Sequence, residues 1–422
     1  MSRFCFVHAA DLHLDTPFAC ARADATLLAS ALRESTFQAW ETVVSTCVEK
    51  RAAFLLVAGD VFDASQKSLR AQIRFRNGLE CLDRHSIPVF VAHGNHDPLD
   101  SLSASLPPPP NTYVFGSKVE TREVRRDGQL LALVTGISHP QKNESRNLTT
   151  LFPSAPRRAD TEVFLVALLH CNVGAETGHD PYAPCELDDL ANAGYHYWAL
   201  GHAHERRVLC RSPWIVYPGN TQGRSLRELG PRGCLLIEVE GSEVLAEPAL
   251  VETDAVRWFS CEVDAEQFSD TQGLLEGLLS ECRKLQQGSV GRPVMARLVV
   301  RGRTHLYREL RRPGHAADLA EAVRERTAAW TPFVGLAALD WAVRPPIDLD
   351  ALRLVRNFLG ELLRASEELS REDCLRVWEP LLEDSRFNRF KLRSALEGLE
   401  WQDLVMEARY LCADLLLPGD SE

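Results

Sequence analysis

Residues 3–15 read RFCFVHAADLHLD, a short apolar run that stops abruptly at the polar residues Asp11 and His13. Four later stretches repeat this pattern: residues 52–63 (AAFLLVAGDVFD), 87–97 (IPVFVAHGNHD), 162–170 (EVFLVALLH) and 195–204 (YHYWALGHAH). Nearly continuous apolar runs of this length are typical of strands that are buried on both faces. Each predicted strand therefore carries a polar cluster at its carboxyl end.

Helix-like stretches lie between these strands, at residues 26–50 and 68–85. Alternation of strands and helices predicts a layered α/β domain, here over residues 1–255. In such domains the functional groups lie beyond the carboxyl ends of the strands. Residues 139–160 are polar and are predicted to form a surface loop.

The pattern changes from Trp258 onward. Strand, helix, strand, helix and strand are predicted in turn at residues 258–263, 271–287, 293–300, 316–330 and 334–343. This order predicts a small α/β domain over residues 256–346. Residues 347–422 are predicted to be helical, because apolar side chains from Leu352 to Leu363 recur at helical spacing.

Composition limits the possible environments and partners. The chain of 422 residues has a net charge of −12, which excludes a bulk electrostatic attraction to nucleic acid. No apolar run reaches the roughly 18 residues that a membrane span requires. The twelve cysteines are scattered singly, which favours reduced thiols over a disulfide framework. We therefore expect a cytoplasmic protein without a membrane-spanning segment.

The five polar clusters contain side chains that bind metal ions. They are Asp11-Leu12-His13, residues 59–63 (GDVFD), residues 94–97 (GNHD), His170 and residues 201–204 (GHAH). Residues two apart on a strand project to the same side, so Asp11 and His13 could face one ion, as could His202 and His204. Carboxylate, imidazole and amide oxygen together suit manganese, iron or zinc.

Each cluster taken alone has an ordinary structural explanation. An Asp-x-His after a strand is usually a capped turn, a Gly-Asn-His-Asp is usually a loop, and one histidine is usually a core residue. The joint occurrence is different, because all five clusters end an apolar strand and all five can bind metal. The set as a whole predicts a metal centre.

These clusters resemble the motifs of the calcineurin-like metallophosphoesterase superfamily, and most closely those of SbcD-type DNA-repair exonucleases of the YhaO-like branch. The resemblance runs from residue 3 to about residue 240, through residues 8–15, 59–63 and the cluster around Asn95. It includes the element YPGNTQGR at residues 217–224. It implies a β-sandwich flanked by helices, a small α/β capping domain and a helical C-terminal region.

The resemblance also implies two divalent metal ions, expected to be manganese. The ligands implied for one ion are Asp11, His13, Asp60 and His204. Those implied for the other are Asp60, Asn95, His170 and His202, with Asp60 bridging the two ions. His96 would act on the scissile phosphate, as a proton donor or as a stabilising cation. Asp63 stands where family members carry histidine, and we expect it to steady His96 or its loop.

Three functions are open from the residues alone. They are a DNA exonuclease or endonuclease acting in repair, a phosphodiesterase or phosphatase for small molecules or phosphoproteins, and a metal-binding scaffold without turnover. The scaffold is disfavoured because every expected ligand type is present. Residues 292–312 carry seven arginines against one acid, and Arg301, Arg303, Arg311 and Arg312 are predicted to contact a phosphate backbone. A solvated strand edge is the alternative. The family resemblance favours DNA.

The C-terminal region is a poor surface for DNA. Residues 347–422 carry seventeen acidic and ten basic side chains, a net charge of −7. Their apolar positions can pack internally or can leave a stripe for a partner helix. The resemblance implies a coiled-coil ATPase of the SbcC type as that partner, and a homodimer is also possible.

Overall fold

The computed structural model describes residues 2–16, 18, 26–63, 68–101, 106–154, 163–174, 181–372, 375–376 and 401–417. The elements up to residue 252 are β1 (Arg3–Ala9), α1 (Thr26–Glu49), β2 (Leu55–Ala58), α2 (Leu69–Arg84), β3 (Val89–Ala92), β4 (Thr112–Val114), β5 (Glu120–Arg126), β6 (Gln129–Gly136), β7 (Phe164–His170), α3 (Leu187–Ala191), β8 (Tyr197–Gly201), β9 (Arg207–Arg211), β10 (Trp214–Tyr217), β11 (Gly233–Glu240), β12 (Glu243–Val244) and β13 (Ala249–Glu252). The later elements are β14 (Arg257–Asp264), α4 (Thr271–Gly288), β15 (Val294–Arg303), α5 (Tyr307–Leu310), α6 (His315–Ala328), β16 (Val334–Arg344), α7 (Leu349–Leu354), α8 (Phe358–Glu367) and α9 (Trp401–Leu416).

Two sheets carry the five predicted strands. The first has the order β12-β11-β1-β2-β3-β4, with β13 beside β11, and the second has the order β5-β6-β7-β8-β10-β9. Strands β1 to β4 run parallel, and so do β6, β7, β8 and β10. The carboxyl ends of parallel strands meet at one edge of a sheet. The predicted strands are β1, β2, β3, β7 and β8, so all five are confirmed.

The two sheets pack face to face, and helices cover the first sheet on its other side. Neighbouring residues of one strand serve different layers: Phe6 lies in the core between the sheets, whereas Val7 packs among residues of α1 and α2. This division follows from the alternation of side chains along a strand. The layered α/β sandwich flanked by helices that the sequence predicts is confirmed.

Aromatic side chains join the sheets near the amino-terminal half of β1. Phe6 stacks on Phe54 at 4.7 Å between ring centroids and meets Tyr197 edge to face at 5.3 Å. Pairs of this kind contribute about 0.5–1.5 kcal/mol beyond the burial of their area. This aromatic core fixes the spacing of the two sheets.

The two predicted helices between the strands are α1 and α2, and their bounds match within one residue. Ser68 caps α2 by accepting a hydrogen bond from the Ala71 N–H. The loop predicted at residues 139–160 is present over residues 139–154, which contain no strand or α-helix, but it is not exposed throughout; residues 155–160 lie outside the described residues. His139 and Glu144 are buried, and a short 3₁₀ helix covers Leu148–Leu151. Because the segment is largely charged and polar, its sequence did not predict that some of its residues are buried among exposed ones.

The chain divides into two compact units. The first comprises Met1–Ser260, Leu285–Ala296 and Ala328–Ala337, and the second comprises Cys261–Lys284, Arg297–Thr327 and Ala338–Glu422. The strand and helix order predicted from Trp258 onward is present as β14, α4, β15, α6 and β16, which form a three-stranded sheet with its helices. The domain boundaries at residues 255 and 346 stay predictions.

The C-terminal helices are described in part. Helices α7, α8 and α9 are present, and Leu359, Leu363 and Ala413 form a small apolar core between α8 and α9. Trp378, Leu381, Phe387, Phe390 and Leu399, which the sequence suggests as apolar helical positions, lie outside the described residues. Within the described residues, no helix is both long and apolar enough to span a membrane.

Candidate metal centre

Asp11 and His13 follow β1 in an unusual backbone conformation. The Asp11 N–H donates to Gly59 O at 3.1 Å and the His13 N–H donates to Asp60 O at 3.0 Å. Asp11, His13 and Asp60 have φ values of 52°, 41° and 50°. Residues other than glycine rarely adopt this left-handed backbone conformation, and each one that does lowers stability by on the order of 1–3 kcal/mol. The strained backbone of this segment therefore places the Asp11 and His13 side chains. Strand alternation, on which the sequence-based prediction relied, does not place them.

One group of possible ligands forms around the end of β1. Asp11, His13 and His204 each offer a ligand atom, and these atoms lie within 4.8 Å of one another. The Nε2 atoms of His13 and His204 are 3.3 Å apart. These residues come from two different sheets, since His204 follows β8. We call this group the first metal position.

A second group of possible ligands lies beside the first and shares the Asp11 carboxylate with it. Asp11, Asp60 and His170 also bring their ligand atoms within 4.8 Å. His170 Nε2 is 3.0 Å from Asn95 Oδ1 and 3.5 Å from Asp60 Oδ2, while His13 Nε2 is 3.9 Å from the same Asp60 oxygen. Asp60 therefore faces both groups. We call Asp60, Asn95 and His170 the second metal position.

His202 lies at the edge of the second position. The ring centroids of His202 and His170 are 5.3 Å apart. The main-chain N–H of His202 donates to both carboxylate oxygens of Asp11, at 3.2 and 3.1 Å. Its φ of 112° lies in the region that favours glycine. The structure thus brings all seven predicted ligands to one place, and their roles as ligands stay a proposal.

The two sheets touch at this centre. His170 Nδ1 lies 2.9 Å from Ala58 O, the last residue of β2, and so carries the hydrogen that this carbonyl accepts. Nε2 is then the free lone pair and faces Asp60 and Asn95. A Cβ atom on Gly201 would lie 1.7 Å from the same Ala58 oxygen. Only glycine permits this approach of β8 to β2.

Replacement of Gly201 by alanine is expected to separate the sheets at this edge. The clash is with main-chain atoms, so the free energy of unfolding should fall by about 1–3 kcal/mol or more. Denaturant unfolding measures this loss. Gly116→Ala is the matched control, because its new Cβ would meet its nearest neighbour at 3.6 Å. Equal stability of the two variants would contradict the close approach.

The centre buries several carboxyl groups close to one another. Burial raises the pKa of Asp11 to about 6. Burial and then the neighbouring Asp97 and Asp11 raise the pKa of Asp60 well above its usual range. Burial also lowers the pKa of His13 to about 3, so this imidazole is neutral. Clustered carboxylates beside neutral imidazoles are the donor set of a divalent cation, and the residues present therefore fit such an ion.

His96 lies at the mouth of the centre and contacts Asp63. Its side chain is 42% exposed, and its Nδ1 is 2.6 Å from Asp63 Oδ1. Burial alone would raise the pKa of Asp63, but hydrogen bonds from His13 and His96 outweigh it and hold the pKa well below its usual range. The contact agrees with the expectation that Asp63 steadies His96. The catalytic roles of both residues stay a proposal.

Sequence reasoning missed residues that support the centre from behind. Asp97 accepts hydrogen bonds from the N–H groups of Val61 and Gly94, at 2.8 and 2.9 Å, and so joins two of the loops. His139 Nε2 lies 2.7 Å from the main-chain oxygen of His170. Asp97 belongs to the GNHD cluster at residues 94–97, so its place in the sequence did indicate a role at this centre. His139 is distant in sequence and had none.

The four arginines predicted to contact DNA have partners of their own in the second unit. Arg301 pairs with Glu262 at 2.7 Å, Arg303 donates to the Tyr410 hydroxyl at 3.2 Å, and Arg311 donates to the Tyr307 hydroxyl at 2.6 Å. Within the described part of the chain, the Arg312 side chain has no such partner. These contacts leave the prediction untested.

Comparison with known proteins places these features in a family context. A family model described as calcineurin-like phosphoesterase matches residues 5–206, and one described as the middle domain of metallophosphoesterase YhaO matches residues 258–340. The chain is 32% identical to a Bacillus subtilis protein named uncharacterized metallophosphoesterase YhaO over 397 residues, 94% of each protein.

More distant similarity extends to DNA-processing proteins. The chain is 28% identical to the DNA double-strand break repair protein Mre11 of Aeropyrum pernix over 266 residues, which are 58% of this chain and 60% of that protein. It is 26% identical to the D component of the nuclease SbcCD of Bacillus subtilis over 208 residues, 42% of this chain and 53% of that protein.

Proposed function

Because this chain belongs to the calcineurin-like phosphoesterase family, and is similar to YhaO over 94% of its length, we propose that it is a two-metal phosphodiester hydrolase that acts on DNA. The observation that carries the proposal is the meeting of Asp11, His13, Asp60, His170 and His204 in two adjoining groups. Asn95 and His202 complete the proposed ligand set. The expected ions are divalent, and manganese is proposed.

The chain's own residues would do the following in the reaction. Asp60 would hold both ions, since its Oδ2 faces His13 and His170. Two such ions supply a nucleophile from water near neutral pH and stabilise charge on the phosphate oxygens. His96, exposed at the mouth and held at Nδ1 by Asp63, would present Nε2 to the phosphate and donate a proton to the leaving oxygen.

DNA as the substrate is supported by similarity to DNA-repair and nuclease proteins, although the net charge of the chain opposes it. The relatives include Mre11, a DNA double-strand break repair protein, and one component of the SbcCD nuclease. The net charge of −12 opposes binding of a polyanion, so metal ions and a local arginine patch would have to supply the attraction. A role in DNA repair follows as part of the same proposal.

The test compares substrates side by side. Purified protein, stripped with chelator and reloaded with manganese, would be given linear duplex DNA, single-stranded DNA and bis-nitrophenyl phosphate. Faster cleavage of DNA than of the small diester is the expected result. Cleavage of the small diester alone would instead favour a phosphodiesterase for small molecules, and no cleavage of any substrate would contradict the proposal.

The arginines of the second unit should confer the preference for polymers. Replacing Arg301, Arg303, Arg311 and Arg312 by glutamine should weaken DNA binding. The slope of log affinity against log salt should flatten by up to about 0.9 for each phosphate that is no longer neutralised. Hydrolysis of the small diester should hardly change. Replacing four arginines of the first unit, Arg33, Arg84, Arg125 and Arg211, makes the same change in net charge. An equal loss of DNA binding in both variants would show a bulk charge effect.

The C-terminal helices are proposed to bind a coiled-coil ATPase of the SbcC type. Truncation after Arg344 would be a blunt test, because Arg344 pairs with Glu407 and Arg308 pairs with Asp414, so α9 supports the second unit. Exposed apolar side chains on the helices offer a milder test. Leu354, Phe358 and Leu415 are 76%, 70% and 72% exposed.

Changing Leu354, Phe358 and Leu415 to glutamine should abolish co-purification with such an ATPase. Hydrolysis of the small diester should be unaffected, because the metal centre lies in the other unit. The control replaces Leu69, Ile73 and Val290, which are also exposed but lie in the first unit. Retained binding in the first variant would contradict the proposal. A homodimer and a cytoplasmic location stay predictions.

A further inference from the structure

Behind the first metal position lies a row of three charged side chains, Asp63, Arg224 and Glu228. Arg224 Nη2 is 3.3 Å from Glu228 Oε1, and Arg224 Nη1 is 4.0 Å from Asp63 Oδ2. The main-chain N–H of Arg224 also donates to Glu228 Oε2 at 2.6 Å. The side chains are only 13%, 16% and 10% exposed, so each charge requires compensation from neighbouring groups. We call this row the Asp63–Arg224–Glu228 bridge.

Each carboxylate of the bridge contacts one histidine of the first metal position. Asp63 Oδ1 is 3.2 Å from His13 Nδ1, and Glu228 Oε1 is 2.7 Å from His204 Nδ1. A carboxylate accepts only, so each Nδ1 must carry the hydrogen. Each Nε2 is then a lone pair, and the two Nε2 atoms lie 3.3 Å apart beside Asp11. The bridge thus sets the tautomers of both histidines.

The same bridge reaches His96. Asp63 Oδ1 contacts His96 Nδ1 at 2.6 Å as well as His13 Nδ1, so one carboxylate orients a proposed ligand and the proposed proton donor. Arg224 is the cation that lies between Asp63 and Glu228. Its Nη2 is 3.3 Å from His204 Nδ1, an approach that adds no hydrogen bond once that nitrogen donates to Glu228. The guanidinium therefore donates a hydrogen bond to Glu228 and makes a longer ion-pair contact with Asp63.

We propose that Arg224 is a positioning residue that ties Asp63 to Glu228 and, through them, fixes His13 and His204 as ligands and His96 as a donor toward phosphate. This inference rests on the proposed two-metal function. It makes the two metal positions unequal. The first depends on Arg224, whereas His170 of the second is oriented by the main-chain oxygen of Ala58.

The test is a manganese titration of metal-free protein, followed by calorimetry and by the manganese spin-resonance spectrum. Wild type should bind two ions with the spectrum of a coupled pair. Arg224→Gln should bind one ion as wild type does and the other about 10–100-fold more weakly, the usual cost of losing an orienting partner. At sub-saturating manganese its spectrum should be that of a single ion. Arg227→Gln is the matched control, because Arg227 is exposed in the same loop and the charge change is identical.

Kinetics give an independent measurement. At saturating manganese, Arg224→Gln should still have a lowered kcat on bis-nitrophenyl phosphate with little change in KM, because Asp63 no longer holds His96 firmly. Arg224→Lys keeps the charge but lacks the fork that reaches both carboxylates, so its metal affinity should lie between those of wild type and Arg224→Gln. It also provides the measurement if Arg224→Gln does not fold.

The outcomes separate the inference from the function beneath it. Wild type that binds two ions, with Arg224→Gln or Arg224→Lys indistinguishable from it, would overturn the role of Arg224 alone. Equal weakening of both positions would also overturn it, since the second position has its own support. Wild type that binds fewer than two ions would overturn the two-metal function, and the inference with it.

Discussion

Asp60→Asn is expected to abolish both metal binding and phosphodiester hydrolysis, because one carboxylate faces both metal positions. Asp60 Oδ2 lies 3.5 Å from His170 Nε2 and 3.9 Å from His13 Nε2. The amide nitrogen of asparagine would put a donor where two positions require an acceptor. Asp60 Oδ1 accepts the His96 N–H at 2.9 Å, and the amide oxygen can retain that bond. The loop should therefore keep its conformation.

Metal analysis and hydrolysis of bis-nitrophenyl phosphate measure this loss directly. Unfolding without metal supplies a second readout, because the substitution would remove a buried and poorly compensated charge. The metal-free variant should be at least as stable as metal-free wild type, while only wild type gains stability from manganese. Asp83→Asn, an exposed change of the same charge, is the control. Normal metal content together with full activity in Asp60→Asn would remove the basis of the two-metal proposal.

His96→Asn should have the second largest effect and a different character. Loss of a positioned proton donor should lower kcat by about 10²–10⁴-fold. KM, DNA binding and the content of two ions should be unchanged, because His96 would contact the transition state and not a metal ion. Asparagine can still donate to Asp63 Oδ1, so the hydrogen bond behind His96 can persist.

The measurement is a full kcat and KM determination at saturating manganese, together with metal analysis of the same sample. His85→Asn, an exposed change at the end of α2, is the control. A loss of metal in His96→Asn would make this residue a ligand or a structural prop. An unchanged kcat would mean that the leaving oxygen takes its proton from elsewhere.

The strands and the ligand set were predictable because each apolar run in the sequence ends at a cluster of residues that can bind metal. Strands β2, β3, β7 and β8 are buried at every position, and this produces the continuous apolar runs that the sequence shows. Strand β5 has no such signal: only Val124 is buried in ETREVRR, since it is an edge strand. Its polar letters could not distinguish it from a loop.

Which supporting residue contacts which histidine of the first metal position was not predictable, because the partners are distant in sequence. Glu228 contacts His204 across 24 positions, and Asp63 contacts His13 across 50. No periodicity or motif spacing links such pairs. The left-handed conformation of Asp11 and His13 was also hidden, because aspartate and histidine adopt a positive φ more often than most residues but far less readily than glycine.

The contact of the two sheets at Ala58, His170 and Gly201 has a consequence for folding. The centre draws its side chains from segments as far apart as Asp11 and His202, which are 191 positions apart and hydrogen-bonded. Contacts of such separation form late, because the chain between them must first lose its freedom. A growing chain on the ribosome that ends before His202 would lack His204 of the first metal position and His202 at the edge of the second. The centre can therefore take its complete form only after both sheets have been synthesised and have come together.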